Sequence, residues 1–197
     1  MRKTYLMLAT ILLTAPVAAQ DLLGPDGFKS IENETERSQA LFEEMAKVIT
    51  HPRCMNCHPV GNLPTQGDDM RPHMPPVVRW DEAGFGPPGL HCSSCHGAEN
   101  AEFVGNAGSI PGHVPWNLPP LSMGWVGLSV GEICAQLKDP ARNGDRTLAE
   151  IAEHNATDGL VGWAWHPGEG RTPAPGTQKI FGELTEAWIE TGSACPS

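Results

Sequence analysis

Two short stretches of the 197-residue chain carry the residues best suited to chemistry. HPRCMNCHPV supplies Cys54, Cys57 and His58, and HCSSCHGAEN supplies Cys92, Cys95 and His96. Both read Cys-x-x-Cys-His. In that pattern two thiols can add across the two vinyl groups of one haem, and the spacing suits the distance between those vinyls. The histidine follows at once, so its imidazole reaches the iron from one face. This is the signature of covalent c-type haem attachment. Two copies predict two haem c groups, with His58 and His96 as proximal iron ligands.

Two rival chemistries use the same residue types. Two Cys-x-x-Cys pairs could form a four-sulfur zinc site, although 34 residues separate Cys57 from Cys92, wider than the usual ribbon spacing. Each pair could instead close as a disulfide in an oxidising compartment. Neither rival calls for a histidine directly after the second cysteine of both pairs.

The elements that must hold these residues are uneven. Asn33 and Glu36 have the spacing of a helix cap. Leu41, Met45, Val48 and Ile49 then recur at helical spacing, predicting a helix that ends near His51-Pro52, just before the first motif. Glu32, Glu34, Glu36, Glu43 and Glu44 are expected on its solvated face. Residues 59–91 and 97–127 are rich in Pro, Gly and polar residues, and no ordinary helix fits them. The second motif therefore lacks the leading helix of the first. Ser129-x-x-Glu132, Thr147-x-x-Glu150 and Thr177 open three further helices, the last stopping at Gly192. No strand pairs are evident. With 22 Gly, 19 Pro and 6% aromatics, the chain looks poorly supplied for an ordinary core, and a buried cofactor would fill the gap. Cys134 and Cys195 lie outside the motifs and are free to pair.

The far face of each iron needs a second ligand or stays open. DDMRPHMPPVV offers Met70 or His73 for the first haem, ahead of Met74, on a loop stiffened by proline. Thioether ligation would raise the potential and a second imidazole would lower it. His91, His113, His154 and His166 read as hydrogen-bonding or propionate neighbours, with His113 also a candidate for the second iron, and the tryptophans read as haem-pocket packing with indole N–H groups for propionates.

On these motifs the chain resembles the c-type cytochromes. The helix before Cys54 is similar to the N-terminal helix of a small cytochrome c. The run LPPLSMGWVGLSVGEICAQL is similar to the family's Pro/Gly loop with an iron-facing Met and the helix that follows. That resemblance implies Met123 as the distal ligand of the second haem. It also implies a mainly α fold, with cytochrome c-like helices and long Pro/Gly loops packed around two covalently bound haems. Residues 50–197, and GWAWHPGEGRTPAPGTQK in particular, resemble more narrowly the small dihaem cytochromes that accompany periplasmic molybdenum hydroxylases, some labelled isoquinoline 1-oxidoreductase subunits.

Arg2 and Lys3, an apolar run and the small residues before Gln20 predict a signal peptide over 1–19, cleaved near Ala19, and export to the periplasm. One dihaem domain over 20–197 is expected. Loss of Arg2 and Lys3 takes the formal charge from −10 to −12. An acidic surface disfavours nucleic acid and anionic membranes, and no segment of the mature chain is apolar enough to span a bilayer. It suits a redox protein partner with a basic docking surface. The expected role is a soluble carrier, not an enzyme, taking electrons from a periplasmic oxidoreductase to a downstream acceptor. The alternative is a haem enzyme such as a small peroxidase. That needs one open iron and an acid–base group over it, for which His113 or Glu99 could serve.

Overall fold

A computed structural model describes residues 21–104 and 108–197; the expected signal peptide lies outside them. The described chain is mainly helical, in keeping with the expected class. Helix α1 spans Glu34–Ile49 and is capped by Asn33, whose side chain accepts the Glu36 amide. A four-residue helix α2, Pro52–Met55, follows directly, with Pro52 in its first position and the His51 ring accepting the Arg53 amide. Proline has no amide hydrogen to leave unsatisfied there. Helices α3 (Val130–Leu137) and α4 (Leu148–Thr157) both open on complete reciprocal caps, Ser129 with Glu132 and Thr147 with Glu150. Helix α5 is a single turn, Gly159–Gly162, and α6 runs Gln178–Glu190 behind Thr177.

Helix α6 is the centre of the packing and lies against both α1 and α4. Its Trp188 is fully buried, with its ring 5.1 Å from that of Phe42. The Trp188 indole donates to the Ala194 carbonyl, so the one polar atom of a large apolar side chain is satisfied. Leu41, Met45, Val48, Ile133 and Leu184 are buried around it. Each contributes about 1.5–3 kcal/mol by leaving water. Helices α4 and α6 approach closely because Gly182 has no side chain; a Cβ there would meet that of Ala156 at 2.5 Å. A disulfide joins Cys134 on α3 to Cys195, tying the C-terminal segment down beside α1.

The helices thus hold more core than composition suggests. The loop half does not. Between residues 59 and 121, Leu118 is the one described hydrophobic residue in the buried core, while Val60, Leu63, Trp80, Phe85, Leu90 and Phe103 stay exposed. Two strand pairs occur here that the sequence reading did not include. Strand β1 (Thr65–Gln66) pairs antiparallel with β2 (Arg71–Pro72), and β3 (Ala101–Glu102) with β4 (Ser109–Ile110). Two residues per strand are too few to show an alternating pattern. Glu44 also differs from expectation. It is buried beneath Leu23, whose amide it accepts, and pairs with Lys47, so it is not part of the acidic face. No described helix is long and apolar enough to cross a membrane.

Candidate haem-binding site

The first motif is one continuous turn. Its start is α2, and the Cys57 and His58 amides continue the winding onto the Cys54 carbonyl. The His58 ring is then held from behind by residues 123–125. Its Nδ1 donates to the Met123 carbonyl at 2.8 Å, and the Trp125 indole lies stacked on it, 3.4 Å between ring centres and 6° from parallel. The Trp125 amide closes the clamp on the His58 carbonyl. Close approach of the two segments depends on Gly124, where a Cβ would fall 2.7 Å from the Pro59 carbonyl oxygen. Burial pushes the His58 imidazole down to about 3, and nearby His154 and Arg79 add to the effect against the Met123 hydrogen bond.

The second motif is a 3-10 turn, Cys92–Ser94, with the His96 amide on the Cys92 carbonyl. A loop leads into it, as the sequence predicts. Yet its histidine is supported in the same way as the first. His96 Nδ1 donates to the Pro111 carbonyl at 2.7 Å, and the Trp116 indole stacks on the ring at 4.5 Å and 7°. Trp163 meets Trp116 edge-on, and its indole N–H is held by Asn100. A backbone carbonyl on Nδ1 fixes the tautomer and leaves the Nε2 lone pair available, the usual support of a metal-bound imidazole.

Cys57, Cys92, Cys95 and His96 line one cavity of about 690 Å³, within the range of cofactor pockets. Its walls include Val77, Val78, Leu90 and Leu118. At one side stands a charged group: Arg53, its side chain 1% exposed, pairs with Asp68 at 2.5 Å, and Asp68 also accepts from the Thr172 hydroxyl and amide. Arg53 Nε is buried with no partner. An unsatisfied buried donor is costly, and a cofactor carrying carboxylates would relieve it. Mixed apolar walls, this orphaned donor and the Nδ1-anchored His96 fit haem, while Cys54 and His58 do not line this cavity. The four motif thiols are free, whereas Cys134 and Cys195 are bonded. Burial pushes Cys54 up to about 12 and Cys57 up to about 11. A four-sulfur zinc site would need all four thiols at one point, and among the described residues no three His, Cys, Asp or Glu side chains are placed to hold a metal ion by themselves.

The other candidates fall differently from the sequence expectation. Met123, expected at the second iron, is buried in the helical core beside the first motif and does not line the cavity. His73, expected with the first haem, lies 6.0 Å from His96 between ring centres. The β1–β2 hairpin makes this reversal, folding residues 65–74 back toward the second motif. Met70 sits exposed at the hairpin turn with φ of 49° and does not line the cavity; Met74 does, though 63% exposed. Glu99 is exposed, and the His113 ring packs against Gly159. His154 Nδ1 faces Asp158 at 3.3 Å. The tryptophans expected to pack around a haem pocket include Trp116 and Trp125, which stack on the motif histidines; sequence reasoning missed Arg53 and the Met123 and Pro111 carbonyls. Comparison with known protein families, with curated proteins and with solved structures finds no match to this chain.

Proposed function

We propose that this chain is a dihaem c-type cytochrome of the periplasm that carries electrons from a periplasmic oxidoreductase to a downstream acceptor. The observation that carries this reading is the duplicated support at His58 and His96. Each imidazole directly follows a pair of free thiols, donates Nδ1 to a backbone carbonyl and lies under an indole. Nothing in ordinary packing requires the same arrangement twice in segments of unlike secondary structure.

Haem bound at each motif supplies a one-electron iron couple. The chain does the rest. Cys54 with Cys57, and Cys92 with Cys95, would anchor the two groups. His58 and His96 would ligate through Nε2, with Met123 and Pro111 carbonyls holding the rings against rotation. Trp125 and Trp116 keep water from those rings. Arg53 Nε would meet a carboxylate. The loop half, short of buried apolar residues, would gain its interior from the cofactor. Exposed Glu32, Glu34, Glu36 and Glu43 at and along α1 suit a basic docking partner, with association that salt weakens. A molybdenum hydroxylase is the donor that the narrower resemblance implies.

The test is an anaerobic redox titration of the exported protein, followed by Cys57→Ala. Two one-electron steps without peroxide turnover support a carrier. Peroxide turnover, or a Cys57→Ala protein that keeps both covalent haems and normal stability, overturns it.

A further inference from the structure

We infer that His73 is the sixth ligand opposite His96, making the second site a bis-imidazole haem. This rests on the dihaem reading above. Three observations combine. His73 and His96 both line the cavity that also receives the Cys92 and Cys95 thiols. Their ring centres are 6.0 Å apart, with planes at 55°. Metal–imidazole bonds of about 2.0 Å on opposite faces of one iron put ring centres roughly 6 Å apart, once the distance from Nε2 to each centre is added. Ring pairs of that separation also occur in ordinary packing, and His113 makes a like Nδ1 bond to the Pro115 carbonyl without lining the cavity, so it is the three observations together that single out His73. His73 Nδ1 donates to the Pro75 carbonyl at 2.8 Å, as His96 Nδ1 donates to Pro111. Both rings therefore keep a free Nε2 lone pair, and neither spends it on a hydrogen bond to the described residues.

The hairpin explains how an imidazole 23 residues before its partner arrives there. Thr65 pairs with Pro72, and the His73 amide continues the pairing onto the Pro64 carbonyl. The Met74 amide then bonds to the Gln66 side chain. His73 is thus delivered from a fixed element while Met74 faces largely into solvent. A second imidazole in place of a thioether lowers the potential of this haem.

The experiment uses the exported holoprotein, its His73→Ala and His73→Met variants, and Met74→Ala. Mass spectrometry first counts covalent haems. Near-infrared magnetic circular dichroism of the ferric protein then separates bis-imidazole from imidazole–thioether ligation. The expected result is a bis-imidazole signal in the parent and in Met74→Ala. In His73→Ala it is lost, one haem binds cyanide, and added imidazole restores the signal. His73→Met raises the potential of one haem only. Two haems with the bis-imidazole signal intact in His73→Ala, or lost in Met74→Ala instead, overturns the inference and leaves the dihaem reading standing. A parent protein without covalent haem overturns both.

Discussion

Breaking the Cys134–Cys195 bridge perturbs stability by an amount that the chain itself sets. The bonded residues are 61 apart in sequence. In the chain-entropy model, releasing a loop of that length returns about 4 kcal/mol of conformational freedom to the unfolded state at 25 °C. Thioethers at the two Cys-x-x-Cys pairs would close only short steps elsewhere in the chain and leave this loop unrestrained. Cys195→Ala is the cleaner variant, because it cuts the link while Cys134 keeps its place in the core. Adding Cys134→Ala then removes buried sulfur contacts as well, a separate and smaller loss. Urea unfolding followed by both circular dichroism and tryptophan fluorescence reads the effect, coincident curves licensing a single free energy. With a slope of about 2 kcal/mol per molar, Cys195→Ala should lower the midpoint by about 2 M. A shift under about 0.5 M at unchanged slope would refute the argument that the bridge restrains the unfolded chain.

Two further outcomes follow from the site. Gly124→Val places carbon against the Pro59 carbonyl and should separate residues 123–125 from His58, seen as a changed spectrum at one haem and faster loss of helix on heating, while Gly24→Ala, with ordinary φ and open space around it, spares the haem spectrum. Burial alone would raise the Asp68 carboxyl, but the Thr172 hydroxyl and amide and the Arg53 guanidinium together hold it below the usual carboxylate range. Its contribution is therefore present above about pH 4, the ordinary aspartate value, and is lost as pH falls through the lower folded value. Asp68→Asn should lower the urea midpoint at pH 7, and the gap from the parent should close toward pH 3; a gap that widens on acidification would contradict the assignment.

Much of the helical frame was legible because its signals are local. Asn33, Ser129, Thr147 and Thr177 cap the helices that their spacing predicts. The single turn Gly159–Gly162 was not, since two of its four residues are glycine and its only signal is the Asp158 cap. At the site, the thiols and His58 and His96 were readable from five-residue motifs. The carbonyls that anchor the two rings were not. A backbone carbonyl such as that of Met123 or Pro111 carries no side-chain signature, so nothing in the sequence marks it as the anchor of a histidine. The positions of Met123 beside the first motif and of His73 near His96 were not legible either. Nearness along the chain assigned His73 to the first motif, whereas a hairpin of two-residue strands, too short to leave a periodic trace, turns it toward the second.

The central claim is that two porphyrins are stitched to this chain at Cys54/Cys57 and Cys92/Cys95. Intact mass spectrometry of protein exported with haem-maturation machinery present tests it most directly. The account predicts the processed chain plus two haem increments, with both found on peptides carrying those cysteines; a mass equal to the bare polypeptide under the same conditions would contradict it.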